Sequence, residues 1–348
     1  MKKEHRLILD AVLIKKSKEE IEKINTLLEE KLDWFEIAGI LVNHRLGGYF
    51  YLGLDEQQQK KIPKEFRKVL ELLVKAQKEQ QNNNNTELLK INELLDDNGI
   101  RFAALKGAFF GSEMYTSGLR RSNDLDLLVY EEDLDKLDDC MRQLGYIQSN
   151  MPNGEMIEAT KREKLIQRMN YHDLVPYVKS VDGGVLDIDI NFLFDGKENP
   201  IDRFVYDMGT QIYDGENYSI RGLNYYTNLA FLCVHFYREA SSTIWTEGRR
   251  DVTLYKIVDI INYIRFYMHL IDKEQLLSVF KKLNICEKVF FTFKIIQEFY
   301  NESSINEIIQ DLKIYEIDSE TMKKVYDHKT KKEIYREESF YEKAFKMI

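Results

Sequence analysis

The chain has 348 residues, 44% hydrophobic and 31% charged, the profile of a globular protein rather than a disordered or fibrous one. Its formal net charge of −9 argues against the basic excess with which proteins grip long DNA or RNA, yet leaves room for a local basic pocket around one nucleotide. Cys140, Cys233 and Cys286 lie far apart with no CxxC, which excludes a disulfide framework or a zinc site and implies reduced, mostly buried thiols.

The N-terminal MKKEHRLILDAVLI has a basic start and a short apolar run. Asp10 interrupts that run, and charged KKSKEE stands where a signal peptide would need small residues. No apolar stretch reaches the ~20 residues that span a bilayer. The expected setting is cytoplasmic. Residues 1–98 have a helical pattern, with Val69, Leu72, Leu73 and Ala76 on one face and Leu88, Ile91 and Leu95 repeating it. The amide run QQNNNN at 80–85 predicts a break between them, because asparagine is a poor helix interior.

Asp97-Asn98-Gly99 predicts a helix stop, and IRFAAL at 100–105 a buried strand. Lys106-Gly107 then opens a short helix, AFFGSEMY. DLDLLVY from Asp124 begins by alternating and becomes wholly apolar, as a strand in a covered sheet does. EEDLDKLDDCMRQLGY predicts a helix with Leu134, Leu137, Met141 and Leu144 on one face and Gly145 as its stop. HDLVPYVKS and VLDIDINFLF predict a hairpin turned at Val181-Asp182-Gly183-Gly184. From about Tyr225 the pattern is helical again, and the charged tail from Thr321 predicts a solvated helix docked by Tyr335, Phe340 and Tyr341. The expected architecture is α+β. A small mixed sheet (99–222) forms the core between N-terminal (1–98) and C-terminal (223–348) helical regions.

The chemistry belongs to the middle segment. Asp124 and Asp126, at i and i+2 of a strand, point to one face. Two carboxylates so placed raise each other's pKa unless a cation neutralises them, and Mg²⁺ suits such oxygen donors. On its own, the spacing fits a strand-start or turn role as well. In the second hairpin strand Asp187, Asp189 and Asn191 face one way, and Leu186, Ile188, Ile190 and Phe192 the other. A solvent-facing strand accounts for this pattern; the functional reading, favoured because short acceptor side chains are a poor choice for a strand, is a third carboxylate presented to the first pair. Gly107 lets a phosphate approach the backbone at a helix N-terminus, and Arg120 and Arg121 can pair with phosphate oxygens.

The run LKGAFFGSEMYTSGLRRSNDLDLLV resembles the core motif of the uncharacterised bacterial nucleotidyltransferases, a family similar to the DNA-polymerase-β-like superfamily. Leu105-Lys106-Gly107, Tyr115, Arg120, Asp124, Asp126 and Val129 carry the match, with Gly145-Tyr146 after it. His172, Ile188 to Phe192, His235, and Arg249-x-Asp251 with LYKIVDI extend it over about 86–265. Two positions depart from the pattern. Asn191 stands where histidine is usual, and Lys106-Gly107 where Gly-Ser is more common, with Gly111-Ser112 the lesser alternative.

The resemblance implies transfer of a nucleoside monophosphate from an NTP, ATP among them, to an acceptor hydroxyl with release of pyrophosphate. It implies Asp124, Asp126 and Asp189 as catalytic and metal-binding residues, with Asp187 as the alternative third carboxylate. Lys106, Gly107, Arg120, Arg121 and Ser122 are expected to bind nucleotide. Two Mg²⁺ ions are expected, with Mn²⁺ as the other candidate. The acceptor is a small molecule, a peptide or a protein rather than a long nucleic acid or a membrane. The competing expectation is a catalytically silent relative that binds nucleotide or a partner in the same cleft.

Overall fold

The computed structural model describes every residue except 122–123, 182–183, 198, 200–208, 216–217, 249, 328–329 and 347–348. The chain forms two compact units, Ala76–Asn228 and the combination of Met1–Lys75 with Leu229–Ile348. The expected α+β class holds.

In the first unit seven strands form one mixed sheet: β1 Phe102–Leu105, β2 Asp124–Val129, β3 Ile147–Gln148, β4 Tyr177–Val181, β5 Gly184–Asn191, β6 Thr210–Asp214 and β7 Ser219–Leu223. Their order is β3-β4-β5-β2-β1-β7-β6. β2 is central, antiparallel to β1 and parallel to β5. Its residues Leu125 to Val129 are all buried, as a strand covered on both faces requires. The turn residues Asp182 and Gly183 lie outside the described residues, but the antiparallel pairing of β4 with β5 on either side is in place. The β6–β7 hairpin was not among the expected elements.

Helices pack on one face of this sheet. They are α1 (Lys64–Asp97, of which the part from Ala76 belongs to this unit), α2 (Lys106–Glu113) and α3 (Leu134–Gln143). Lys179 of β4 bonds Glu87 of α1 at 2.6 Å. Phe109 of α2 meets Tyr213 of β6 edge-on at 4.4 Å. Tyr177 of β4 donates its hydroxyl hydrogen bond to Asp138 of α3 at 2.7 Å. Strand alternation puts Leu125 and Leu127 on this helix-covered face and Asp124 and Asp126 on the other. A fourth helix, α4 (Lys161–Asn170), is capped by Thr160 and Glu163 in a reciprocal capping box.

Two expectations fail here. α1 runs without a break through 80–85. Each asparagine costs up to about 0.7 kcal/mol in a helix interior, but the helix is held on both sides of the run by buried Leu70 and Val74 and by buried Leu88, Ile91 and Leu95. Asn84 continues that stripe and is itself buried. The buried face is also rotated from the expected one, because Val69 and Leu72 are exposed.

The second unit is helical, with a small hairpin of β8 (Lys324–Asp327) and β9 (Lys332–Tyr335). The tail is therefore not the single helix its sequence predicts. β8 is tied by Tyr326 N–H to the Ser241 carbonyl, and among the described residues of the tail the α-helix is confined to Phe340–Phe345, with a 3-10 turn at Thr321–Lys323. Phe340 docks that helix as expected, whereas Tyr335 is exposed. The three cysteines are free and buried. Among the described residues no helix is long and apolar enough to cross a membrane.

Candidate active site

The site is built on the register between β2 and β5. Asp124 stands opposite Asp187, and Asp126 opposite Asp189. Residues opposite each other in a parallel pair project from the same face, so four carboxylates share one face of two neighbouring strands. Three of them carry a raised pKa. Burial pushes Asp126 up, and Asp124 adds to it, while Lys106 and Arg120 pull it down. Asp189 is pushed up to about 8, first by burial and then by Asp126 and Asp124. Burial and Asp124 raise Asp187. Like charges are held together with Asp126 buried and the other three half-buried, which is the electrostatic form of a site prepared for a cation.

Lys106 bonds directly into this group. Lys106 follows directly on β1, whose Leu105 pairs with Asp126. At Lys106 the backbone turns through φ +43°, a left-handed conformation that costs a non-glycine residue about 1–2 kcal/mol. The turn sets the side chain so that Nζ donates to Asp126 Oδ1 at 2.7 Å, with Asp126 only 3% exposed. Strain of this kind collects at functional sites.

The donor set suits Mg²⁺ or Mn²⁺, since every side chain in it is a hard carboxylate oxygen donor. Among the described residues, however, no three His, Cys, Asp or Glu side chains are gathered closely enough to hold a metal ion as they lie. Lys106 occupies Asp126 in this arrangement.

A family model described as uncharacterised nucleotidyltransferase matches residues 30–301. The chain belongs to this nucleotidyltransferase family. No curated protein and no solved structure matches it. Family membership supports nucleotidyl transfer as the general activity. The match takes in the whole sheet and reaches well into the helices that follow it.

The other residues expected at the site are distributed around it. Gly107 and Arg120 line one pocket with Gln81, Asn84, Asn85, Gly111, Tyr115 and Leu125. Leu125 lies on the helix-covered face of β2, so this pocket backs the carboxylates rather than containing them. The Arg120 guanidinium lies 5.6 Å from the Phe110 ring centroid. Arg121 is exposed, and Ser122 lies outside the described residues. Gly111 and Ser112 are inside α2, as their position in the sequence suggests. Asn191 is buried and its amide points to the Leu127 carbonyl at 3.5 Å. His172 lies just before Asp173, which bridges to Asn191, and Asp173 adds to the raised pKa of Asp189.

The amides of α1 are the residues that sequence reasoning missed. Gln81 Oε1 accepts the Gly118 N–H at 3.0 Å and so anchors the loop that carries Arg120. The signal was present in the spacing: Asn84 stands four residues before Leu88, on the same stripe as Ile91 and Leu95.

Proposed function

We propose that the protein is a Mg²⁺-dependent nucleotidyltransferase of the DNA-polymerase-β-like kind, working in the cytoplasm, that moves a nucleoside monophosphate from an NTP to an acceptor hydroxyl. The carrying observation is the register that sets Asp124 and Asp126 beside Asp187 and Asp189 on one face. Asp124, Asp126 and Asp189 would hold the cations, with Asp187 as the alternative to Asp189. Bound cations would neutralise the triphosphate and stabilise the attacking and leaving oxygens.

The chain's own residues do the rest. Lys106, the Gly107 amide, Arg120, Arg121 and Ser122 hold and orient the triphosphate through charge-assisted bonds. The acceptor hydroxyl oxygen bonds to the α-phosphorus, the bond from that phosphorus to the bridging oxygen breaks, and pyrophosphate leaves with the electron pair. Asp189 takes the hydroxyl proton. Cations held by the same cluster would offset the neighbouring carboxylates that raise its pKa and keep it ionised for that role.

The decisive experiment is pyrophosphate release from each NTP with Mg²⁺, measured for the native chain and for the double variant Asp124→Asn/Asp126→Asn. Release by the native chain alone supports the proposal, and equal release by both defeats it. One observation favours a silent nucleotide-binding cleft instead: the Lys106 ammonium already sits on Asp126. That reading predicts an NTP-induced rise in melting temperature with no pyrophosphate.

A further inference from the structure

Helix α4 is turned inside out. Its polar residues hold it to the protein. Lys164 pairs with Glu158 at 2.8 Å, Gln167 Nε2 donates to Asp173 Oδ1 at 2.8 Å, and Arg168 pairs with Glu131 at 3.4 Å. Its apolar residues face outward: Leu165 is 57% exposed, Ile166 46% and Met169 62%. Not one residue of the helix is buried. Ile157 before it and Tyr171 after it are exposed as well. A surface helix ordinarily buries its apolar stripe, and a contiguous outward stripe marks an interaction surface.

The position of the helix ties it to the carboxylates. Directly after Tyr171, the His172 carbonyl accepts the Phe192 and Leu193 N–H groups, and Asp173 bridges to Asn191. The end of α4 is thus fastened to β5 two residues beyond Asp189. All of these residues belong to the same compact unit.

Charge and size select the occupant. Lys161 and Arg162 are exposed on this helix and enter no ion pair among the described residues. Arg162 falls between Leu165, Ile166 and Met169 on the helical projection, at 100° per residue. Three nearby acids are engaged: Glu158 with Lys164 and Arg142, Glu131 with Arg168, and Glu163 in the capping box. The surface is therefore apolar and basic. One ten-residue helix is about 15 Å long. It cannot supply the roughly 800 Å² per partner of a stable dimer, but it matches one short segment of chain.

We propose that the outward stripe of α4 (Leu165, Ile166 and Met169, with Lys161 and Arg162 beside them) docks a short acidic, apolar segment of a partner polypeptide and so brings a hydroxyl of that polypeptide to the carboxylate face. The assignment rests on the nucleotidyl-transfer reading and names its acceptor class.

The test uses a fluorescein-labelled synthetic amphipathic peptide of leucine and glutamate, followed by anisotropy against the full-length chain. Leu165→Glu/Met169→Glu should weaken binding by roughly tenfold or more, since two exposed contacts are lost and like charges are introduced. The melting temperature should not change, because both side chains are already in solvent. Raising the salt should weaken native binding, and a lysine-for-glutamate peptide should not bind. Native binding unchanged by the double variant, or absent, overturns the inference. So does flotation with phosphatidylglycerol vesicles, or self-association on sedimentation, that the double variant abolishes. An NTP- and Mg²⁺-dependent melting shift, measured on the same samples without peptide, reads the nucleotide site separately. Its loss with peptide binding intact would count against the transfer reading and leave the docking surface standing.

Discussion

Two acidic clusters, one in each compact unit, are buried in different ways. In the helical unit Asp251 is fully buried, and its Oδ2 takes Arg336 at 2.8 Å, Lys343 at 2.7 Å and the Thr246 hydroxyl at 3.3 Å. Buried Glu239 is likewise matched by Lys256. In the sheet unit four carboxylates crowd two neighbouring strands, with Lys106 bonded to Asp126. A charge buried for architecture comes with partners that neutralise it, since an unpaired one costs several kcal/mol. At the sheet the acids are instead set against one another, and burial together with their mutual repulsion raises the pKa of Asp189 and Asp187. That repulsion is a strain that a cation or ligand can relieve, and it marks a candidate site by its electrostatics alone.

The largest test of this contrast is to neutralise the crowded side. Asp124→Asn/Asp126→Asn should lower turnover by roughly a thousandfold or more, about 4 kcal/mol of transition-state stabilisation. Its melting temperature should hold or rise, because like charges have been removed from a buried face. A variant that keeps its activity, or unfolds, would place these aspartates with the scaffold. The matched side should behave in reverse. Asp251→Ala strands two cations and should cost about 3–4 kcal/mol of stability in urea unfolding. A loss under about 1 kcal/mol would show that the pairing there compensates little.

His44 sharpens the same point through pH. Its Nδ1 accepts the Leu254 N–H at 3.1 Å, at the start of the helix Leu254–Tyr267, and its Nε2 N–H donates to the Ala344 carbonyl at 2.6 Å. Acceptance at Nδ1 needs the neutral ring, and burial pushes its pKa down to about 4. The folded pKa lies below the ordinary value of 6.5, so the unfolded chain takes up the proton first. The contribution is therefore complete above pH 6.5 and is lost as the pH falls towards 4. It amounts to roughly 3 kcal/mol. Subtracting the stability profile of His44→Gln from that of the native chain isolates this residue. A difference that stays flat between pH 7 and pH 4 would refute it.

The sequence displayed what depends on near neighbours. Asp124 and Asp126 show their common face by spacing alone, and Lys106-Gly107 its place after a strand. The acidic hairpin strand was visible, but its alignment was not. That Asp189 lies opposite Asp126 depends on how two strands sixty residues apart pair, and nothing local records it. The tail was misread for a related reason. β8 is held by Ser241 and Ser242, partners more than eighty residues away. The amide run was misread because intrinsic preference was weighed without the burial that overrides it.

That amide run supplies the smallest effect and the finest division between site and scaffold. Gln81 looks architectural: it lies on α1 and touches no carboxylate. Yet its Oε1 holds the Gly118 N–H, two residues before Arg120, and its side chain lines the same pocket as Arg120 and Gly107. Gln81→Met keeps the length and removes the acceptor. It should raise KM for NTP roughly tenfold, about 1–1.5 kcal/mol for one hydrogen bond, and leave kcat nearly unchanged. Gln81→Glu keeps an oxygen for Gly118 and should recover most of the loss. In an Arg120→Ala background Gln81→Met should have little further effect, because the group it positions is gone. Additive losses, or a fall in melting temperature that accounts for the whole change, would return Gln81 to the scaffold.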